Sequence, residues 1–132
     1  MKECPFCKIW ESNGSHSFTI LVVGEYCVSV LDQYPVSEGH CLIIPKSHVS
    51  SIDELTDVEL KDLYTVLHQT KTLLIETYLP DGFNIGINEG EAAGQTVPHL
   101  HIHIIPRYEG DVECPRGGVR GVIPSKRNYV VS

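Results

Sequence analysis

The sequence predicts a single α+β domain in which an antiparallel sheet packs against one long helix. The chain has 132 residues, a length that suits one domain with a buried core. Short apolar runs bounded by turn residues lie in both the first and the last third of the chain, and one long stretch with helical spacing separates them. This order of strands, one helix and further strands is typical of α+β domains.

The first part of the chain predicts three strands, at residues 18–23, 26–31 and 40–45. Gly24 and Glu25 form a tight turn between the first two strands, and a loop at residues 32–39 leads into the third. Strands joined by such short connections form an antiparallel meander.

A helix follows these strands. Thr56 and Glu59 have the spacing of a capping box, and the helix is predicted to end at about Tyr78, before Pro80. The apolar residues with helical spacing are Leu60, Leu63, Tyr64, Leu67, Leu74 and Tyr78. The opposite polar face, which includes Asp62 and His68, is predicted to be solvated.

Two more strands are predicted after the helix, at residues 83–88 and 99–105, joined by a loop at residues 89–98. The remainder is rich in glycine and proline and is too irregular for a helix. We therefore expect one domain over residues 1–132, with its core at about 3–108 and an irregular tail at 109–132.

Composition restricts the function classes. A net charge of −7 argues against binding to a nucleic-acid backbone, and no apolar run is long enough for a membrane span. The first residues lack an apolar signal-peptide core, so the expected location is cytoplasmic. Five cysteines are free thiols or metal ligands in that compartment; Cys27 and Cys41 are expected in the core, and Cys114 has no assigned role.

The sequence from 99 to 105 alternates histidine with apolar residues in strict period 2. In a strand, His99, His101 and His103 would therefore share one face, about 7 Å apart, with the apolar residues on the other. Imidazoles attack, hydrogen-bond or bind metal near neutral pH. The alternatives are a solvated sheet face or an adventitious metal patch, but three histidines in register beside Gln95 and Thr96 favour a functional site.

The motif His-φ-His-φ-His-φ-φ at residues 99–105, with φ apolar, resembles that of the histidine triad (HIT) superfamily. The segments 94–97, 88–90, 39–40 and 43–48 resemble the same family, so the similarity covers about residues 3–108. The resemblance implies a five-stranded HIT-like fold, a homodimer with a continuous sheet, and hydrolysis of a nucleotide through a covalent nucleotidyl-histidine.

The resemblance also implies residue roles. The middle histidine, His101, would be the nucleophile, His103 would hydrogen-bond the phosphate or the leaving group, and His40 would be a fourth histidine nearby. Substrate phosphate contacts would come from Asn88, Gln95 and Thr96. These three are otherwise ordinary turn residues. No carboxylate cluster suited to Mg²⁺ is evident, so no requirement for that ion is expected.

The nucleoside part of the substrate is assigned by the same resemblance. Asp32 would accept hydrogen bonds from ribose hydroxyls, and the apolar walls of the base pocket would be Phe6, Ile9 and Val30. The alternatives are a turn-starting aspartate and plain core residues. Gln33 departs from the apolar residue of many relatives, so the base of the expected purine nucleotide is open.

Cys4 and Cys7 form a Cys-x2-Cys motif, which supplies two corners of a tetrahedral zinc site. The zinc-bearing subset of the family implies His48 and His99 as the other two ligands. The alternative is two free thiols and a His48–His99 hydrogen bond, as in zinc-free members.

Two substrate classes are open within the enzyme hypothesis, namely adenosine phosphoramidates or aminoacyl adenylates and dinucleoside polyphosphates. A related transferase or phosphorylase is disfavoured, because family members of that kind commonly have glutamine in place of the third histidine and this chain keeps His103. A nucleotide-binding regulatory module with little turnover and a metal-storage protein are the other hypotheses. The tail is expected to place Arg107, Arg116 or Arg120 near the distal phosphates.

Overall fold

The computed structural model describes residues 4–11 and 16–129. The predicted start of the core at residue 3 and the end of the tail at 130–132 lie outside the described residues. The fold is one five-stranded antiparallel sheet with one α-helix in the described part of the chain, which confirms the predicted class. The strands are β1 (Ile20–Val23), β2 (Cys27–Leu31), β3 (Cys41–Pro45), β4 (Gly82–Ile87) and β5 (Ile102–Arg107), and the helix is α1 (Asp57–Tyr78).

The strand order in the sheet is β1-β2-β3-β5-β4, so β5 lies inside the sheet and β1 and β4 form its edges. In the register, His103 is opposite Leu42 of β3 on one side and Gly86 of β4 on the other. The strand that carries the third histidine is therefore held from both sides, which fixes its side chains.

The helix begins and ends where the sequence predicts. The Thr56 hydroxyl accepts from the Glu59 N–H at 3.3 Å, and the Glu59 carboxylate accepts from the Thr56 N–H at 2.8 Å. The buried stripe is Leu63, Val66, Thr70 and Leu74. None of the helices described in the structure has the length and apolarity that a membrane crossing needs.

The prediction of which helix residues face the core is partly wrong. Leu60 and Tyr64 are exposed, at 37% and 65%, whereas Val66 and Thr70 are fully buried. Thr70 tolerates burial because its hydroxyl hydrogen-bonds the Val66 carbonyl at 2.6 Å and the Ser29 hydroxyl at 2.8 Å. Its polar atom is thus satisfied, so a polar residue occupies a core position.

The prediction that Asp62 is solvated is also wrong. Its carboxylate accepts from the backbone N–H of Tyr26 at 2.8 Å and of Glu25 at 3.2 Å, which ties α1 to the β1–β2 turn. A Cβ at Gly24 would lie 2.5 Å from the Val66 side chain and 2.7 Å from the Asp62 carboxylate. Only glycine lets the turn approach the helix this closely.

Side-chain alternation gives the sheet two apolar faces. The helix side buries Cys27, Cys41, Ile43, Leu100, Ile102 and Ile104, which confirms the core positions of the two cysteines. The other side buries a second cluster of Phe6, Ile9, Val28, Val30, Leu42 and Ile44. The N-terminal segment thus covers part of the face on which His103 lies.

The fifth strand lies at Ile102–Arg107 and not at residues 99–105. Residues 99–101 do not join the ladder because their backbone is engaged elsewhere: the Leu100 N–H donates to the Val49 carbonyl at 2.6 Å. At the other end the strand passes through Pro106, because β3 pairs only as far as Ile104 and that side needs no further donor. The other strands begin within two residues of the prediction.

Candidate active site

The histidine side chains share one face as predicted, although β5 joins the sheet only from Ile102. Leu100, like Ile102 and Ile104, packs into the core on the helix side, while the histidine rings lie on the opposite side. The ring centroids of His101 and His103 are 5.2 Å apart, and His101 is 8% exposed. The nucleophile candidate therefore lies in a shielded position next to a second imidazole.

The protonation of His101 follows from its one hydrogen bond. Its Nδ1 lies 2.9 Å from the backbone carbonyl oxygen of His99. A carbonyl only accepts, so Nδ1 carries the proton and donates it. The other nitrogen, Nε2, is left with an available lone pair, which is the state that a nucleophile requires.

His40 fixes the protonation of His103. The Val36 N–H donates to His40 Nδ1 at 3.1 Å, so the proton of the neutral ring is on Nε2. This Nε2 lies 3.0 Å from His103 Nδ1 and 3.3 Å from an Asp32 carboxylate oxygen. His103 Nδ1 must then be an acceptor, which places the His103 proton on Nε2.

Burial keeps both of these rings neutral. It lowers the pKa of His40, against an opposing effect of the Asp32 carboxylate. Burial also lowers the pKa of His103, and the neighbouring His101 and His40 act in the same direction. The Val36 N–H leaves no space for a proton on His40 Nδ1, so hydrogen bonding and burial favour the same state.

Asp32 lies beside His40, a contact that the sequence reasoning did not foresee. The loop between them is closed by the Asp32 N–H, which donates to the His40 carbonyl at 2.9 Å. The other Asp32 oxygen accepts from the Tyr34 N–H at 2.8 Å. Contact with ribose stays a prediction.

The polar residues of the loop before the triad differ in their hydrogen bonding. Gln95 uses both ends of its amide internally: Oε1 accepts from the Gly90 N–H at 2.8 Å and Nε2 donates to the Ser50 carbonyl at 3.1 Å. Asn88 and Thr96 show no hydrogen bond to another residue that the structure describes. Gln95 thus braces the loop, and the phosphate contacts of all three residues stay predictions.

The predicted base-pocket residues lie together in the second apolar cluster. Phe6 is 5% exposed, Ile9 8% and Val30 0%. The Phe6 ring centroid is 5.0 Å from that of His101 and 5.7 Å from that of His99. The N-terminal segment therefore packs directly on His101, while its contact with a base stays a prediction.

The predicted metal ligands converge at one point. The ligand atoms of Cys4, Cys7, His48 and His99 all lie within 4.8 Å of one another. Nδ1 of His99 is 3.4 Å from the Cys4 sulfur and 3.1 Å from His48 Nδ1, and the Cys7 sulfur is 3.2 Å from His48 Nδ1. Tetrahedral zinc with ordinary bond lengths has ligand separations of about 3.3–3.7 Å.

His99 is oriented to be a ligand. Its Nε2–H donates to the Pro45 carbonyl at 2.8 Å, which leaves the Nδ1 lone pair directed at the thiols. Burial, then the neighbouring Cys4, raises the pKa of the Cys7 thiol to about 11, so a thiolate there needs a cation. Two sulfurs and two imidazole nitrogens are a typical structural zinc set, and these residues fit that ion.

The predicted tail arginines have protein partners. Arg107 donates to both Asp111 oxygens at 2.8 Å and to Asn84 at 2.7 Å. Arg116 and Arg120 stack on one ring, that of Tyr129, at 5.2 and 4.8 Å.

Arg127, which the sequence reasoning passed over, borders a cavity of about 490 Å³. Ile105, two residues after His103 on the same strand, lines the same cavity. No motif marks this arginine, so the sequence carried no signal for it.

The comparisons with known proteins agree with this fold. An uncharacterized HIT-like protein of Methanocaldococcus jannaschii is 41% identical over 87% of both chains. The adenylylsulfatase HINT3 of Arabidopsis thaliana is 37% identical, over 83% of this chain and 54% of its own. The asymmetrical bis(5'-nucleosyl)-tetraphosphatase of Schizosaccharomyces pombe is 43% identical over 58% of this chain and 42% of its own.

A zinc-bound histidine triad family protein of Mycobacterium smegmatis, known from its crystal structure, has a similar fold. Its TM-score is 0.72 at 34% identity, with 83% of this chain and 78% of that chain covered. The model of the HIT domain matches residues 15–110. With this match and these relatives, the chain belongs to the HIT domain family.

Proposed function

We propose that the chain is a nucleotide hydrolase that cleaves P–N or P–O–P bonds to a purine nucleoside monophosphate through a nucleotidyl-histidine on His101. The carrying observation is the hydrogen bond from His101 Nδ1 to the His99 carbonyl, which leaves Nε2 as a neutral nucleophile. The names of two relatives, an adenylylsulfatase and a nucleosyl-tetraphosphatase, support a nucleotide substrate.

In the first step, the lone pair of His101 Nε2 attacks phosphorus and the bond from phosphorus to the leaving group breaks. The leaving group takes the bonding pair: a nucleoside phosphate departs as an anion that accepts a hydrogen bond from the His103 Nε2–H, and an amine takes a proton from solvent. His101 becomes a positively charged nucleotidyl-imidazole, and its Nδ1–H stays on the His99 carbonyl, which stabilises that charge.

In the second step, water attacks the same phosphorus and releases a proton to solvent. The P–N bond breaks, and its electron pair returns to His101 Nε2. The nucleoside monophosphate leaves, and His101 is neutral again. His103 keeps its Nε2–H throughout and donates a hydrogen bond to the oxygen that gains charge. The imidazoles supply both the nucleophile and the hydrogen-bond donor, so we expect activity without added Mg²⁺.

We further propose that Cys4, Cys7, His48 and His99 hold a structural zinc ion. Support comes from the converging donor atoms and from the zinc-bound relative of similar fold. The bound ion would tie the N-terminal segment, with Phe6 against His101, to the start of the catalytic strand. The ion is not expected to touch the reacting phosphorus.

A homodimer is proposed through the edge strand β4. This edge is six residues long and leaves Ile85 38% exposed, so a second copy can extend the sheet across the interface. Light scattering is expected to give twice the chain mass.

The five unpaired cysteines support the predicted cytoplasmic location, where thiols stay reduced.

The test is product analysis after incubation with adenosine phosphoramidate and, separately, with diadenosine tetraphosphate. Wild type is expected to release AMP from at least one substrate, and His101→Ala is expected to release none. His68→Ala is the matched control, because this histidine is exposed on the helix, and it should keep full activity. If wild type binds AMP but cleaves neither substrate, the proposal is wrong and the regulatory binding module replaces it.

A further inference from the structure

The C-terminal lobe, residues 109–129, forms one wall of the cavity of about 490 Å³ next to the histidine face. From the sheet, the cavity is lined by Ile105, which follows His103 by two positions and therefore lies about 7 Å along the same face of β5. From the loop side it is lined by Val36, whose N–H holds His40. The strand β5 and the loop that contains Val36 thus each border both the cavity and one of the site histidines.

The cavity has the size and the mixed lining of a ligand site. Pockets for small molecules typically measure about 300–1,000 Å³ and combine apolar walls with a few polar groups. Apolar contact comes from Ile105, Val112 and Pro115, and Tyr108 adds an aromatic ring. A nucleoside phosphate fits this volume, whereas a leaving group as small as ammonia would not reach it.

Arg127 is the one cation of the cavity lining without a partner. Its guanidinium makes no hydrogen bond or ion pair with any residue that the structure describes, while Arg107 is neutralised by Asp111. The exposed Glu38 is the remaining acid of the lining, and a carboxylate beside a bound nucleotide can accept from sugar hydroxyls.

Two glycines of the lobe allow its backbone to pack closely against Arg127. A Cβ at Gly117 would lie 2.5 Å from the Arg127 carbonyl oxygen, and a Cβ at Gly121 would lie 3.2 Å from its Cδ. Arg120 donates to the same carbonyl at 3.3 Å. The backbone and stem of Arg127 are thus enclosed by the lobe, which orients its charged end in advance of binding.

We propose that this cavity is the leaving-group subsite and that Arg127 binds a phosphate of a nucleoside phosphate leaving group. The inference rests on the proposed nucleotide hydrolase function and narrows it to dinucleoside polyphosphates. The opposite side of the histidines carries the predicted nucleoside pocket around Phe6 and Val30. A substrate with a nucleoside at each end would therefore cross the imidazoles and fill both sides.

The experiment compares wild type with Arg127→Gln on two substrates that share one transferred group. For diadenosine tetraphosphate, the loss of a charge-assisted hydrogen bond is expected to lower kcat/KM by about tenfold to a hundredfold. For adenosine phosphoramidate, which lacks a nucleotide leaving group, kcat/KM should stay within about twofold of wild type. Arg127→Lys should recover part of the loss.

Lys126→Gln is the matched control, because it removes one positive charge from the next residue, which does not line the cavity. The subsite is refuted if Arg127→Gln affects both substrates equally or neither, or if Lys126→Gln has the same effect. If wild type cleaves neither substrate, the proposed function fails. Calorimetric titration with diadenosine tetraphosphate then decides, since equal affinities of wild type and Arg127→Gln would overturn the subsite.

Discussion

Replacement of both cysteines of the proposed zinc site, Cys4→Ser with Cys7→Ser, is expected to release the N-terminal segment from the sheet. This segment carries two buried apolar side chains, Phe6 at 5% and Ile9 at 8% exposure. Full burial of such a side chain contributes about 1.5–3 kcal/mol, so detachment of the segment costs at most about 3–6 kcal/mol. Removing the ion from wild type by a chelator should have the same effect.

This free energy corresponds to a large thermal shift. For a chain of this length, a change of 1 kcal/mol moves Tm by about 3–4 °C, so the upper limit of the decrease in Tm is about 9–24 °C. The assay is thermal unfolding followed by circular dichroism, with metal content measured by mass spectrometry of the same samples. Wild type is expected to hold one zinc ion per chain, and the double variant none.

Cys114→Ser is the control, because this cysteine is exposed and far in sequence from the site. It should keep the wild-type Tm and zinc content. The metal site is refuted if wild type is purified without zinc and neither added zinc nor the double replacement changes its Tm. Zinc bound at several equivalents per chain, with His101 unreactive, would instead favour the metal-storage hypothesis.

Three further predictions concern the fold and the site. Gly24→Ala should lower the free energy of unfolding by about 1–3 kcal/mol in urea denaturation, because the new Cβ would lie 2.5 Å from a helix side chain. Thr70→Val should lower it by about 1–2 kcal/mol, since it removes the buried hydroxyl that bonds Ser29. The free energy of unfolding should also fall as the pH drops below about 6.5, because burial lowers the pKa of His40 and His103 in the fold and the unfolded chain then binds more protons.

Each of these has its own check. Gly82→Ala, where a Cβ would meet nothing within 4 Å, should be close to neutral, and an equal loss at both glycines would contradict the close-approach argument. Thr72→Val is the exposed counterpart of Thr70→Val and should change little. A variant with both His40 and His103 replaced by Asn should lose part of the pH dependence; an unchanged profile would show that other groups cause it.

The sequence was most informative where the signal was local. The capping box at Thr56 placed the start of the helix, because the two residues that form it are three apart and interact within one turn. The alternation from His99 to Ile105 placed the imidazoles on one face, although the ladder itself begins at Ile102. The Cys-x2-Cys motif identified two of the four side chains whose sulfur and nitrogen atoms converge, since its spacing alone brings the two sulfurs together.

Other features depend on contacts between residues far apart in the chain, and no local pattern encodes them. The sequence predicts a solvated Asp62 because nothing near this residue in sequence shows that the β1–β2 turn lies against the helix. The contact of Asp32 with His40 has no signal in the sequence, since it exists only because the intervening loop closes. The helical spacing does not predict Val66 as a core residue, since the position of the sheet decides which stripe of the helix is covered.

The sequence by itself determined the fold class, the histidine face and the convergence of cysteines and histidines, because each follows from periodicity, spacing or a family motif. The tertiary structure decided the protonation of His103, which requires Val36, His40 and β5 to meet. It also decided that Arg127, distant from the triad in sequence, lines a cavity beside it. Both are consequences of packing between separate elements, which only the folded chain specifies.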